Sequence, residues 1–377
     1  MKRNAFARFL FSDTHKLEFS IWNSTKALRT YGRVPSSEDL QHNRAYAFMY
    51  VFNRVYSAIS QSGRKRLLGS VQSGFVDENN LSSLEHEIKT IGHFINIGGE
   101  IECHDLEEGG FDFICHRSGV EFEIECKTVS VDKGRQIHRH DLLSLADHLV
   151  SDIATLANQP NGFGTIVSVK LPSRLTRIPT ELKELAADVK NVFETRRPIA
   201  SEKWEVSAHQ FLISDSPFGP GTKFDRHLTQ DFVKKFIPDS TGQHLVSVTP
   251  GFRAAILDVH SAKPDRYVSE IYRGLKEGAA QFSRQRPAVI VAAILDFSSQ
   301  DLEAMSRDPR DNGFQAIATR LFRSEQRAHL HTVMFTGDVV LRRKAGGSVS
   351  SSGASLNFRN LSHPLFEDPR LRLTLDK

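Results

Sequence analysis

Residues 109–139 read GGFDFICHRSGVEFEIECKTVSVDKGRQIHR, and this stretch decides how the rest of the chain is interpreted. Two apolar segments are separated by a short polar turn at residues 116–119, which is the pattern of a β-hairpin. In the second segment charged residues recur at every second position, so they share one face of a strand. These residues are Glu121, Glu123, Glu125 and Lys127. Asp112 on the first strand points to the same place, so we expect two carboxylates and an ammonium group to meet at one end of the hairpin.

This group of side chains has the chemistry of a magnesium site. Mg²⁺ takes oxygen ligands in octahedral geometry, usually one or two carboxylates together with water and phosphate oxygens. Asp112 and Glu125 would supply the carboxylates, and the backbone carbonyl of Cys126 would add a third oxygen. Lys127 would hold or polarise a water molecule and offset negative charge that develops during attack on phosphorus.

The composition is that of an ordinary globular chain. Of 377 residues, 39% are hydrophobic and 25% are charged, and no run of 18 apolar residues predicts a membrane span. The N-terminal residues lack the apolar core of a signal peptide. Three cysteines are too few for a disulfide scaffold, which favours a reducing compartment such as the cytoplasm. The formal net charge of +4 permits a polyanionic partner without requiring one.

The pattern of apolar residues predicts an α/β fold with one mixed sheet. Helical spacing occurs over residues 39–60, from about 64 to 74, and over 81–95. Three short strands and an alternation of helix and strand follow. The predicted segments are strands 100–106, 111–116 and 120–128, helix 136–156, strand 164–171 and helix 180–195. Because a long helical crossover suits parallel strands, strand 164–171 is expected to pair in parallel with strand 120–128.

A second α/β stretch is predicted further along the chain. Its elements are strand 254–260, helix 266–282, strand 288–296, helix 314–325 and strand 331–335. Asp258-Val259-His260 ends the first of these strands, where it echoes the Glu125-Cys126-Lys127 pattern. This order is compatible with a degenerate second copy of the α/β segment at residues 81–200. It is also compatible with an unrelated α/β recognition module.

The residues resemble the PD-(D/E)XK, or restriction-endonuclease-like, nucleases. The motif of that superfamily is an acidic residue on one strand, then Glu or Asp, any residue, and Lys at the end of the next strand. Asp112 followed by Glu125-Cys126-Lys127 matches it, except that Phe111 stands where the motif has Pro. The helix and strand order of residues 81–200 is also similar to the α-β-β-β-α-β core of the superfamily.

The resemblance implies further site residues. Members often add a glutamate from the helix before the first strand, for which Glu87 is the candidate and Glu85 the alternative. Many also carry a polar residue on the next helix, for which Gln136 is the candidate. The residues expected to contact the nucleic-acid backbone are Lys133, Arg135, Gln136 and Arg139, although a solvated helix start explains them equally well.

Simpler interpretations exist for each part of the motif. Glu125 and Lys127 could form a surface ion pair of little energetic value, and Asp112 could be an acid that flanks a turn. Glu87 could be a solvated residue near a helix start. Zinc binding by the cysteines at 103, 115 and 126 is disfavoured, since no CxxC or HxxxH spacing occurs in this region.

The sequence therefore predicts three segments: a mainly helical segment 1–80, a nuclease-like domain 81–214, and a C-terminal α/β region 215–377. The resemblance implies a nuclease that uses Mg²⁺ or Mn²⁺, with DNA preferred over RNA, and it allows a homodimer. Asp112, Glu125, Lys127 and Glu87 would form its catalytic and metal-binding set. The alternative is an inactive protein that keeps this fold as a nucleic-acid-binding or protein-interaction module.

Overall fold

The computed structural model describes residues 16–32, 40–76, 78–107, 110–149, 160–218, 226–240, 244–249, 253–295, 302, 313–337, 340–343, 349–352 and 355–371. These residues form an α/β protein with mixed sheets flanked by helices, as the sequence predicts. The chain divides into two compact units, a first unit of residues 1–131 and 268–377 and a second unit of residues 132–267. Within the described ranges, no helix is long and apolar enough to cross a membrane.

The described residues form helices and strands in the following chain order. They are α1 (Lys16–Tyr31), α2 (Leu40–Ala58), α3 (Gln61–Val76), α4 (Glu78–Asn96), β1 (Glu100–Glu102), α5 (His104–Glu107), β2 (Phe113–Arg117), β3 (Val120–Ser130), α6 (Arg139–Leu149), β4 (Phe163–Leu171), α7 (Pro179–Thr195), β5 (Ile199–Ala200), β6 (Glu205–Leu212), α8 (Arg226–Lys234), β7 (His244–Thr249), β8 (Arg253–Ser261), α9 (Tyr267–Ala279), β9 (Ala288–Leu295), α10 (Phe314–Phe322), β10 (Leu330–Thr336), β11 (Val340–Arg343), β12 (Val349–Ser352) and β13 (Ser355–Arg359).

The first unit is built on a six-stranded mixed sheet in the order β1-β2-β3-β9-β10-β13. Strands β1, β2 and β3 form an antiparallel meander, and β3, β9 and β10 run parallel to one another. The β2–β3 turn has two residues, Ser118 and Gly119, both at positive φ, which matches the twist of a tight hairpin. Strand β9, AVIVAAIL, lies in the middle of the sheet and is almost wholly apolar, as expected for a parallel strand that is buried on both faces.

Strand β3 is covered on both faces. Its apolar residues Phe122 and Ile124 pack in one buried core with Leu84, Ile88 and Ile91 of α4, which recur at helical spacing. Its charged face lies beneath α9, where Gly274 and Gly278 are one helical turn apart. A Cβ atom at Gly278 would lie 2.9 Å from Lys127 Cε, and one at Gly274 would lie 3.0 Å from Val129 Cγ2. The helix backbone therefore runs directly over the charged face of β3.

The second unit contains a five-stranded sheet in the order β5-β6-β4-β8-β7. Only β4 and β8 run parallel within it; the other neighbouring strands are antiparallel. Leu182, Leu185 and Val189 of α7 belong to one buried core with Val167 and Val169 of β4.

The predicted pairing of strand 164–171 with strand 120–128 is wrong. Strand β4 pairs with β6 and β8 in the second unit, whereas β3 pairs in parallel with β9, which begins more than 150 residues later. Two parallel strands of one sheet need a crossover connection, and either α9 or the nearer predicted helix can provide it. The rule sets no upper limit to the length of that connection. That nearer helix is described as α6, and the part of the prediction beyond residue 149 lies outside the described residues.

The compact units do not follow the predicted boundaries at residues 80 and 214. The helices of the N-terminal segment share a core with the meander, so they belong to the same unit. Strands β8 and β9, which the sequence suggested as one strand–helix–strand copy, belong to different sheets. The second unit is thus inserted between β3 and α9, and the region 215–377 is not one module.

The two ends of the inserted unit are held together. Arg266 N donates a hydrogen bond to Gly134 O at 2.6 Å, and Gln136 N donates to Asp265 Oδ1 at 2.8 Å. A Cβ atom at Gly134 would lie 2.3 Å from Tyr267 Cα, so only glycine fits at this crossing of the chain. An insertion with adjacent ends adds little loop-closure entropy to the unit that receives it.

We expect the first unit to fold without the inserted one. Replacing residues 136–264 by a Gly-Gly-Ser link should give a protein that keeps cooperative thermal unfolding and mixed α/β circular dichroism. The reason is that the described core cluster around α4 and β3 contains no residue of the second unit. Residues 132–267 expressed separately should also unfold cooperatively. Loss of cooperativity in the shortened chain would contradict the assignment of two units.

Candidate active site

Glu125 and Lys127 lie side by side on one face of β3, as the alternation predicts, with Glu125 at the centre of the strand. Glu125 Oε1 lies 2.6 Å from Lys127 Nζ. The Glu125 side chain is 2% exposed, whereas that of Lys127 is 25% exposed. The last residue pair of β2 and β3 is Phe113 with Ile124, so both charged residues lie beyond the point where β2 leaves the ladder.

Asp112 takes the place of the missing strand partner. Its Oδ2 accepts a hydrogen bond from Cys126 N at 2.5 Å. The N–H and C=O groups of a strand residue point to the same side of the strand, so the Cys126 carbonyl also faces the side where Asp112 lies. The register therefore brings Asp112, Glu125 and the Cys126 carbonyl to one end of the hairpin. The interpretation of Asp112 as only a turn-flanking acid does not explain this contact.

Glu87 of α4 is the third carboxyl group that acts on this cluster. Burial raises its pKa to about 8, and the charges of Asp112, Asp105 and Glu125 raise it further while Lys127 lowers it. This mutual influence places Glu87 with the site. Glu85, the alternative candidate, instead forms an ion pair with Lys89 at 2.8 Å one turn along the helix.

The carboxyl groups of the site share too little positive charge. Burial and the charge of Asp112 raise the pKa of Glu125 to about 8, against the lowering effect of Lys127. Burial also raises the pKa of Asp112 to about 6, although the Cys126 N–H opposes this. Three acids with raised pKa values around one lysine form a site that an added cation would stabilise.

One oxygen of Glu125 is free to act as a ligand. Glu125 Oε2 is buried and has no hydrogen-bond partner, whereas Oε1 is held by Lys127. An unpaired buried carboxylate oxygen is costly unless a proton or a cation reaches it. The residues fit Mg²⁺ in this respect, since Asp112, Glu125 and the Cys126 carbonyl are oxygen ligands. In the described part of the chain, no three His, Cys, Asp or Glu side chains form a ready-made metal site on their own.

The neighbouring Glu123 differs because the protein satisfies it fully. Its Oε2 accepts a hydrogen bond from Ser283 N at 2.8 Å, and its Oε1 accepts from the Ser283 hydroxyl and from Arg286 Nη1. Arg286 also pairs with Glu121 at 3.1 Å. Sequence reasoning did not find Ser283, Arg286 or Gly278, which all lie about 150 residues away from β3.

The four polar candidates on the segment after β3 lie in the second unit. Gln136 is engaged there, since its side-chain amide donates to Pro264 O at 3.2 Å while its backbone N–H donates to Asp265. Arg139 N donates to Asp132 Oδ1 at 2.8 Å, and Lys133 is exposed. Because β9 is the parallel neighbour of β3 in the sheet, the helix that packs over the motif is α9.

The cysteines are packing residues. Cys103, Cys115 and Cys126 are free and buried, and all three belong to the core shared with α4. Burial raises the pKa of the Cys115 thiol to about 12, which disfavours the thiolate that zinc requires.

Comparisons with protein-family models, with curated proteins and with solved structures found no match for this chain. The site must therefore be interpreted from its own chemistry.

The raised pKa of Glu87 predicts a stabilising substitution. In the wild type, the contribution of this carboxyl group to stability is complete below pH 4.5 and is lost as the pH rises through about 8, because the folded state holds its proton more tightly than the unfolded chain. Glu87→Gln removes the charge and should raise the free energy of unfolding by roughly 1 kcal/mol at pH 8.5 in the presence of EDTA, with no gain near pH 4.5.

Urea denaturation at both pH values measures this effect. Glu85→Gln is the matched control on the same helix, and it should not stabilise the protein because it weakens the ion pair with Lys89. Equal effects of the two substitutions at pH 8.5 would show that the carboxyl cluster does not act as described.

Proposed function

We propose that this protein is a metal-dependent nuclease of the PD-(D/E)XK type that hydrolyses phosphodiester bonds in DNA. The observation that carries the proposal is the convergence of Asp112, Glu125 and Lys127 at one end of the β2–β3 hairpin, with Glu125 Oε2 buried and unpaired. The meander followed by a parallel strand, with α4 on one face and α9 on the other, supports a restriction-endonuclease-like core.

The residues divide the chemistry among themselves. Asp112, Glu125 and the Cys126 carbonyl would hold Mg²⁺ or Mn²⁺, and Glu87 would add negative charge beside them. The ion, when bound, supplies Lewis-acid activation of a phosphoryl oxygen and of the attacking water. Lys127 keeps Glu125 Oε1 occupied and so leaves Oε2 for the cation. Its partly exposed ammonium group is also able to donate a hydrogen bond to the attacking water or to a phosphoryl oxygen.

A basic helix next to the carboxylates supports a polyanionic substrate. Arg66 of α3 donates a hydrogen bond from Nη1 to Asp105 O at 3.2 Å, and Asp105 N in turn donates to Asp112 O at 3.1 Å. Arg66 therefore adjoins the residues that hold Asp112 in place, whereas the Arg64 guanidinium is bound to the backbone oxygens of Tyr56 and Ser57. Lys and Arg side chains in this position would contact phosphates along a nucleic-acid strand. The choice of DNA over RNA rests on the resemblance to the nuclease superfamily.

The proposal predicts metal-dependent cleavage that depends on three side chains. Purified protein should nick or degrade plasmid and linear DNA with Mg²⁺ or Mn²⁺, and EDTA should stop the reaction. Asp112→Asn, Glu125→Gln and Lys127→Met should each lower the cleavage rate by about 100-fold or more, because each removes a charge that the transition state requires. Lys276→Met, an exposed lysine of the first unit on α9, is the matched control and should keep the activity.

Parallel reactions with single-stranded RNA test the choice of nucleic acid. Cleavage that persists in Lys127→Met would show that the assigned site is wrong. Absence of cleavage of any DNA or RNA, with nucleic-acid binding retained, would support the inactive binding module instead.

Metal binding gives a readout that does not depend on cleavage. Mg²⁺ or Mn²⁺ should raise the melting temperature of the wild type, since a ligand that binds only the folded state stabilises it. Asp112→Asn and Glu125→Gln should abolish this shift, whereas Lys276→Met should preserve it. An equal shift in the wild type and in both site variants would place the metal elsewhere.

A further inference from the structure

The second unit contains a cavity that the proposed nuclease does not use. Its volume is about 300 Å³. Its floor is the polar face of the sheet, to which β4 contributes Ser168 and Lys170, β6 contributes Ser207, and β8 contributes His260. Lys170 and His260 are register partners near the carboxyl ends of the parallel strands β4 and β8. In α/β sheets this end of parallel strands is where ligands bind most often.

The histidine on this floor is held in a fixed orientation. His260 Nδ1 lies 2.8 Å from Asp258 Oδ2, and Asp258 is completely buried. Burial opposes the ionisation of Asp258, but its contacts with His244 and His260 and with the Ser240 hydroxyl outweigh this and lower its pKa to about 2. An ionised carboxylate only accepts hydrogen bonds, so Nδ1 of His260 carries a proton. Nε2 is then the ring nitrogen left for a ligand.

His260 is buried except where it meets the cavity. It is 3% exposed, it lines the cavity, and Nε2 has no partner among the described residues. Lys170 likewise forms no ion pair in the described chain, although Glu205 is its register partner on β6. A buried, oriented imidazole beside an uncommitted ammonium group is an arrangement that binds an oxyanion.

We infer that this cavity binds a phosphoryl group, the monoester of a small organic molecule or the phosphorylated end of a strand, through Lys170 and His260. Lys170 would supply charge, and the hydroxyl groups of Ser168 and Ser207 would supply further donors. The inference does not depend on the nuclease proposal, because it concerns other residues in the other unit.

The chemistry of the ligand decides between phosphate and other anions. The second proton of a phosphate monoester dissociates at a pKa of about 6, so near neutral pH a fraction of the monoester keeps an O–H group that can donate a hydrogen bond to Nε2. A carboxylate or a sulfate has no proton in that range. His209 of β6 also lines the cavity, as do apolar side chains that would contact the organic part of an ester. They are Pro198, Ile199, Phe236, Ile237 and Pro238.

Two acidic residues at the edge of the cavity limit the negative charge that a ligand can carry. Glu205 and Asp239 also line the cavity and are exposed. These carboxylates would repel a ligand with many negative charges, and they favour a single phosphate over a polyphosphate.

Isothermal titration of the full-length protein tests this inference in the presence of EDTA. The probes are inorganic phosphate, sulfate, adenosine 5′-monophosphate, adenosine, and a short oligonucleotide with or without a 5′-phosphate. We expect the phosphate-bearing probes to bind at least about tenfold more tightly than sulfate and the unphosphorylated probes. Tighter binding of the monophosphate or of the phosphorylated oligonucleotide would identify the source of the phosphoryl group. Lack of phosphate binding, or equal binding of sulfate and phosphate, would overturn the assignment.

Two variants test whether Lys170 and His260 contact the phosphate. Lys170→Met should weaken phosphate binding by about tenfold or more without touching the Asp258 network. His260→Asn keeps a donor near the position of Nδ1 and removes Nε2, so it should weaken binding to a similar degree. Lys183→Met, an exposed lysine on α7 in the same unit, is the control that should bind normally. Unchanged binding in folded Lys170→Met, judged by circular dichroism and melting temperature, would disprove the site even if His260→Asn fails to fold.

Discussion

The first unit depends on burying a strand that carries charges on one face. Strand β3 must be covered on both sides to occupy the middle of the sheet, yet Glu125 and Lys127 lie beneath α9, and Glu123 on the same face is completely buried. Burial of an uncompensated charge costs more than most single contacts return. Arg286 and Ser283 satisfy the first part of this face, and the Lys127 ammonium group satisfies only half of Glu125. Both carboxylate oxygens of Glu123 have hydrogen-bond donors from the protein, whereas one oxygen of Glu125 has none. Glu123 therefore has a structural role, and Glu125 is the residue with an oxygen left to bind a ligand.

The close packing of α9 on β3 explains why the helix carries glycine where it crosses the strand. A side chain at Gly278 would displace Lys127, and one at Gly274 would press on Val129. The helix must approach closely because it excludes water from Glu125, and the loss of water raises the pKa of that carboxyl group. An approach of this kind keeps Glu125 away from water at a cost in stability.

The local part of this arrangement could be predicted from the sequence, and the long-range part could not. Period-two alternation places Glu125 with Lys127, and a two-residue turn sets Asp112 opposite them, so both follow from neighbouring residues. The partner of β3 could not be predicted in this way, because β4 and β9 are both apolar strands preceded by helices. The wrong choice moved Gln136 into the site and left Gly278, Ser283 and Arg286 out of it. Two glycines four positions apart in an otherwise regular helix were the signal for the close approach of α9.

Asp258 and Glu125 show how the number of protein donors separates two buried carboxylates. Both lie on strands that have a parallel neighbour, and the sequence Asp258-Val259-His260 is similar in pattern to Glu125-Cys126-Lys127. Asp258 is contacted by Ser240, His244 and His260, so no oxygen is left for a cation, and the low pKa of this group keeps it an anion that fixes the imidazole of His260. Glu125 has one donor and one free oxygen. In the two sites that we propose, the first arrangement would orient a histidine toward an anionic ligand and the second would attract a cation. The similar sequences therefore do not imply the same chemistry.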